Sequence, residues 1–112
     1  MNDQQELPSH KKLTVVYKME PGCLGPNGVE TIEGYCQFAQ KEIASFNGQF
    51  VKWLIQPRFD KSLAEIEYQI DGKRLSSQMA AKYLSVFECD LDDFEEQYNN
   101  KLMDYIEIFL ER

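Results

Sequence analysis

The first half of the chain shows two different periods of apolar residues. Residues 12–20, KLTVVYKME, alternate between two faces and are rich in β-branched and aromatic side chains, so they predict a strand that Pro21 ends. From Gly28 onward the apolar residues recur at three- and four-residue steps, which is typical of an amphipathic helix. Asn47-Gly48 supplies a left-handed residue where this helix is expected to end.

Alternation returns after this helix. Residues 49–59 predict a second strand, and Pro57 indicates that its end lies at a sheet edge. Residues 63–70 predict a third strand. Asp71-Gly72 is typical of a tight hairpin turn, so residues 73–75 are expected to fold back as a short fourth strand.

Two more amphipathic helices complete the pattern. One is capped by Ser76 or Ser77 and extends to about Phe87, and the other is capped by Asp90. The order β-α-β-β-(β)-α-α predicts an α+β fold, with a small, mainly antiparallel sheet of three to four strands and helices packed on one face. We expect the third strand to lie between the first two, as in a split β-α-β unit.

Composition indicates one domain. The 112 residues are 43% apolar and 28% charged, which is close to the average for globular chains. Residues 1–10 are polar, so we expect a disordered lead-in and not a signal peptide, followed by a single domain over residues 11–112. No apolar run is long enough to span a membrane, and a bacterial-type cytoplasm is the expected location.

The net charge of −7 is concentrated at one end of the chain. Residues 88–112 hold nine acidic and two basic side chains, whereas residues 1–87 are balanced. This excess disfavours nucleic acid as a partner, because its phosphates would be repelled. Residues 75–87 bear a short likeness to the first helix of helix-turn-helix domains, but the acidic helix that follows has the wrong charge for DNA. The predicted acidic face consists of Asp92, Asp93, Glu95 and Glu96.

Residues 21–28, PGCLGPNG, form a glycine-rich loop between a strand and a helix, which is where phosphates are often bound. Neither GxxxxGK[ST] nor GxGxxG is present, and Glu30 and Glu33 would repel a phosphate at the helix start. We therefore interpret the loop as a turn whose glycines adopt positive φ. Cys23 is the residue of this loop that could act as a nucleophile or a redox thiol.

Few other residues carry recognisable site chemistry. The three cysteines lack a CxxC spacing and His10 is the single histidine, which excludes an ordinary zinc site and a histidine triad. We predict no catalytic residue, metal or cofactor. Basic residues near two turns are expected to cluster at one end of the sheet. Weak ligand-binding candidates are Cys23, Gly25, Gly28, Arg58, Lys73 and Arg74.

The end of the last helix carries apolar residues around most of its circumference. A surface helix needs one apolar stripe, so the additional residues must be covered by this chain's own core or by a second molecule. We therefore predict a small acidic protein-interaction or regulatory module that self-associates as a homodimer through this helix. The alternative is a small-ligand binder or enzyme centred on the glycine loop and Cys23. The predicted interface consists of Tyr105, Ile106, Ile108, Phe109 and Leu110.

Overall fold

A computed structural model describes residues 6–111 of the chain. It has the predicted α+β class, with a four-stranded sheet and three α-helices. No described helix is both long and apolar enough to cross a membrane. The elements are β1 (Leu13–Met19), α1 (Gly28–Ile43), β2 (Val51–Pro57), β3 (Ile66–Ile70), β4 (Lys73–Leu75), α2 (Ser77–Ser85) and α3 (Leu91–Leu110), with short 3-10 turns at Ser9–Lys11 and Pro21–Leu24.

The strand order is β2-β1-β3-β4, and it corrects the prediction in two respects. β1 and β2 are parallel neighbours, so the β-α-β unit is not split by the third strand. β3 pairs with the other side of β1 in antiparallel fashion, and β4 pairs with β3. The sheet is therefore mixed and not mainly antiparallel.

The side chain of Gln40 occupies the outer edge of β2, with which no described strand pairs. Its amide nitrogen donates to the Trp53 carbonyl at 2.6 Å, and its amide oxygen accepts from the Ile55 N–H at 2.9 Å. Pro57, the last residue of the strand, has no N–H to offer a neighbour. β3 pairs with the side of β1 that faces away from β2, which makes β1 a central strand.

The helices cover one face of the sheet. The inward side chains of β1 and β2 join those of the helices in one core, in which Trp53 lies 5.7 Å from the ring of Phe94 and 5.5 Å from that of Tyr98. Across this core, α1 and α3 contact each other. At the start of β1, the Tyr83 hydroxyl of α2 accepts a hydrogen bond from the Leu13 N–H at 3.2 Å. α2 therefore closes the end of the sheet at which β1 begins.

Short-range signals predicted the hairpin turn and the helix N-caps correctly. Asp71 and Gly72 have φ of 52° and 81°, as a tight hairpin turn requires. Asn47 is left-handed as predicted, with φ of 53°, but α1 already ends at Ile43, so Asn47 follows the helix and does not end it. The Ser76 hydroxyl and the Asp90 carboxylate each accept from the backbone N–H three residues later, at 3.2 and 3.1 Å. These features fix the turn of the β3–β4 hairpin and the starts of α2 and α3.

β3 is shorter than predicted, because it begins at Ile66 and not at residue 63. The Arg58 side chain donates to the carbonyls of Lys61 and Leu63, which holds this segment as a loop. Of the predicted lead-in, residues 1–5 lie outside the described part of the chain. Leu7, which lies in the described part of the lead-in, donates its N–H to the carbonyl of Gln49 at 2.9 Å.

Candidate functional site

Backbone geometry explains why two positions of the glycine-rich loop are glycines. Gly25 has φ of 94°, which an L side chain rarely adopts. A Cβ on Gly28 would lie 1.7 Å from the carbonyl oxygen of Pro21, so a side chain there is excluded by close approach. Positive φ thus holds for Gly25 but not for Gly22 or Gly28. Cys23 is exposed on the 3-10 turn of this loop.

The basic candidates do not form one cluster. Arg58 follows β2 and donates its N–H to the carbonyl of Met19, at the end of β1, whereas Lys73 pairs with Ile70 beside the start of β1. Six residues of strand separate these two ends, which is roughly 20 Å. Arg74 pairs with a carboxylate on β3 at 3.0 Å. The expectation that these residues gather at one end of the sheet is therefore wrong.

Arg58 holds the loop between β2 and β3 through hydrogen bonds to its backbone. Its guanidinium donates twice to the carbonyl of Leu63, at 2.9 and 3.1 Å, and once to that of Lys61 at 3.0 Å. Glu20 lies 3.4 Å from it as an ion-pair partner. These donors hold the loop between β2 and β3, so Arg58 acts as a clamp on that loop.

The inner face of α3 is anchored by apolar packing and by tyrosine hydroxyls. Phe94, Tyr98 and Leu102 are fully buried. The hydroxyl of Tyr35 donates to the Leu102 carbonyl at 2.7 Å, which ties α1 to α3. Burial raises the pKa of Tyr98, as expected for a phenol that stays neutral inside a core.

One residue of the predicted acidic face is turned towards the sheet. The carboxylate of Glu95 accepts from the Tyr68 hydroxyl at 2.6 Å, and that hydroxyl also lies 2.8 Å from the hydroxyl of Tyr98. Burial, followed by the hydrogen bond to Glu95, raises the pKa of Tyr68. The other three residues of the predicted face, Asp92, Asp93 and Glu96, are exposed.

The five predicted interface residues fall into three groups. Ile106 is buried, at 8% exposure. Tyr105 and Phe109 are half-buried, and their rings pack on Phe38 of α1 at centroid distances of 6.3 and 5.8 Å. Ile108 and Leu110 are each 51% exposed, so the chain's own core leaves them in solvent.

Two clefts at the edge of β2 are not predicted by the sequence. They lie between α1 and β2, have volumes of about 650 and 300 Å³, and are both lined by Gln40, whose side-chain amide makes two hydrogen bonds to β2. Gln40 is one of the polar residues in the amphipathic pattern of α1, and no local pattern indicates that its amide would reach a strand. The larger cleft is lined by residues that include Ala44, Ser45 and Gly48, and the smaller by residues that include Glu33, Cys36 and Gln37.

Comparisons with protein-family models, with curated proteins and with solved structures each find no match for this chain. A function is therefore inferred from the residues and the geometry described above.

Proposed function

We propose that the chain is a small protein-binding module whose partner docks on the outer surface of α3. The observation that carries this proposal is the exposure of Ile108 and Leu110 on a helix that is otherwise anchored to the core. Surface helices of monomeric domains ordinarily present polar side chains to solvent. Met103, at 43% exposure, lies two turns before Leu110 on the same side of α3, whereas Ile108, two residues from Leu110, projects from another side of the helix.

Charge favours a basic partner over a second copy of the chain. α3 holds six acidic residues and one lysine, Lys101, whose ammonium lies 4.8 Å from the centre of the Phe46 ring. Two such helices placed side by side would bring like charges within a Debye length of about 8 Å at physiological salt. Homodimerisation through α3 is therefore expected only where salt screens this repulsion.

The apolar residues alone do not support a stable complex. Completing the burial of a half-exposed isoleucine or leucine contributes about 1 kcal/mol, whereas association costs at least about 4 kcal/mol. The acidic side chains beside Ile108 and Leu110 must therefore supply part of the affinity and most of the steering. Such a complex associates faster, and binds more tightly, at low salt.

The geometry offers less to the ligand-binding alternative. Gly25 and Gly28 have structural explanations, and Arg58 and Lys73 lie at opposite ends of the sheet. The thiol of Cys23 interacts electrostatically with Tyr17 and Tyr35, but burial raises the pKa of both phenols and keeps them neutral, so neither serves as a base for the thiol and we do not propose an enzyme.

A labelled helical peptide with a leucine face and lysine flanks is a suitable probe. Its affinity for the chain is measured by fluorescence anisotropy at 50 and 500 mM NaCl. We expect binding at least tenfold tighter at the lower salt concentration, because a basic partner loses its charge interactions when they are screened. An affinity independent of salt would contradict the proposal.

Two pairs of variants locate the interaction. Asp104→Asn with Glu107→Gln and Glu30→Gln with Glu33→Gln remove the same charge, but the first pair lies on α3 and the second on α1. The proposal expects weaker binding of the peptide only for the α3 pair. Equal weakening by both pairs would show that the peptide responds to net charge and not to this surface.

The apolar contribution is tested by a second comparison. Ile108→Ser with Leu110→Ser removes apolar surface from α3, and Val86→Ser removes a side chain that is 75% exposed after α2. We expect a loss of affinity for the α3 variant and none for the Val86 control. Sedimentation velocity of the chain alone then reports self-association, which should increase with salt if it uses α3.

A further inference from the structure

The outer edge of β2 has polar backbone groups that no strand within residues 6–111 covers. The carbonyl of Phe50 accepts from Leu13, and the N–H of Arg58 donates to Met19, so the even-numbered residues of this stretch pair with β1. The backbone N–H and C=O groups of the odd-numbered residues, from Val51 to Pro57, therefore point away from β1. The N–H of Val51 already donates to the carbonyl of Asn47 at 2.9 Å, so an additional strand would pair with the groups that follow it, from the Val51 carbonyl to Pro57.

The structure already places amide groups along this edge. In the middle of β2, the side-chain amide of Gln40 donates to the Trp53 carbonyl and accepts from the Ile55 N–H. One residue of an added parallel strand makes the same two kinds of bond, through its own N–H and C=O. Just before β2 begins, the backbone N–H of Leu7 donates to the outward carbonyl of Gln49. Amide groups from two separate segments thus bind this edge.

Room for a longer segment lies on both sides of Gln40. The cleft of about 650 Å³ adjoins Val51 and Trp53, and the cleft of about 300 Å³ adjoins Ile55 and Pro57. Gln40 lines both clefts, so rotation of its side chain away from β2 would join them. The side chains of Ala44 and Ser45 on the helix side are small and leave the larger cleft wide.

We propose that the groove between α1 and the edge of β2 binds an extended peptide segment of another protein, which displaces the Gln40 amide and adds a strand to the sheet. The peptide backbone supplies the hydrogen bonds, and alternate side chains enter the two clefts. Gln40 in this view protects an otherwise exposed edge while no peptide is bound. This site is separate from the surface of α3, so it adds to the proposed function and does not depend on it.

The probe is a labelled heptapeptide of alternating valine and threonine with lysine at both ends, and its binding is measured by fluorescence anisotropy. Gln40→Ala removes the competing amide, so we expect roughly tenfold tighter binding than for the unchanged chain, since two hydrogen bonds no longer have to be broken. Gln78→Ala is the matched control, because Gln78 is exposed on α2 and lines neither of the two clefts. Equal affinities for all three proteins would overturn the proposal.

A second measurement needs no variant. The same peptide, N-methylated at alternate residues on the edge that faces β2, cannot donate to the strand, so it should lose at least tenfold in affinity. Retained affinity would show that side chains and not the backbone are recognised, which contradicts strand addition. The edge of β2 could also pair with a second copy of the chain, and sedimentation velocity of Gln40→Ala tests this. A dimer would show that a second copy, and not a peptide of another protein, binds the edge. The α3 variants should leave peptide binding unchanged, so failure here is distinguishable from failure of the proposed function.

Discussion

The glycine-rich loop allows a sharp test of its structural interpretation through Gly28→Ala. A Cβ at this position would lie 1.7 Å from the carbonyl oxygen of Pro21 and 2.6 Å from its carbonyl carbon. Both are backbone atoms, so the clash is not relieved by a change of rotamer. Helix propensity alone would favour alanine by up to about 1 kcal/mol, whereas overpacking typically costs about 1–3 kcal/mol. Because the contact is far inside van der Waals distance, we expect a net loss of about 2 kcal/mol.

Two neighbouring glycines provide the controls for this substitution. A Cβ at Gly22 meets nothing within 4 Å, so Gly22→Ala should change the free energy of unfolding by less than about 0.5 kcal/mol. Gly25 is also in open space but has φ of 94°, so Gly25→Ala should cost about 1–2 kcal/mol through backbone strain. The expected order of destabilisation is therefore Gly28, Gly25, Gly22.

Urea unfolding followed by the fluorescence of Trp53 measures this order. Trp53 packs on Phe46, Phe94 and Tyr98, so its emission reports the loss of the core. With a slope of about 2 kcal/mol/M, the Gly28→Ala midpoint should fall by about 1 M. A Gly28→Ala protein as stable as the unchanged chain would refute the steric argument and reopen the ligand-binding interpretation of the loop.

Three further predictions concern the core and its titrating groups. Phe94→Ala removes a fully buried ring from the aromatic cluster and should cost about 3–5 kcal/mol in urea unfolding; a loss below about 1 kcal/mol would show that α3 is not part of the core. Burial raises the pKa of the Cys36 thiol to about 11, so a disulfide reagent at pH 8 should label the exposed Cys23 at least tenfold faster, and similar rates would contradict the buried position of Cys36. Burial, followed by the nearby Glu65, raises the pKa of Tyr17 to about 12 from about 10 in the unfolded chain. Since the unfolded chain then loses this proton first, stability is fully present below pH 10 and should fall between pH 10 and 12, by up to about 2 kcal/mol for this group. Tyr17→Phe should flatten the fall of the urea midpoint over that range, and an unchanged slope would contradict the assignment.

The parts of the fold that depend on a few adjacent residues were predictable. Asp71-Gly72 determines its turn through backbone conformation, and Ser76 and Asp90 cap their helices through contacts three residues away. The strand order was not predictable in the same way, because it depends on which side of β1 each strand can use. The contacts of Gln40 with the outer edge of β2 are equally non-local, since they span 13 and 15 positions of the sequence.

Helix periodicity predicted the buried side of each helix better than its ends. Val29 and Met79 fit the apolar stripes of α1 and α2, yet they are 71% and 52% exposed. Both stand in the first turn of their helices, where a residue can fit the stripe without having a neighbour to pack against. The same limitation applies at the other end of α3, where periodicity could not decide whether Ile108 and Leu110 are buried; the structure shows them exposed.

The proposed function is tested most directly by locating the bound peptide on the chain. Two-dimensional 1H–15N NMR of the labelled protein, titrated with the leucine- and lysine-containing helical peptide at 50 mM NaCl, reports which backbone amides change their environment. The account predicts that the largest shifts occur at residues 103–110 of α3 and disappear at 500 mM NaCl. Shifts confined to the glycine loop at residues 22–28, or absent from α3, would contradict it.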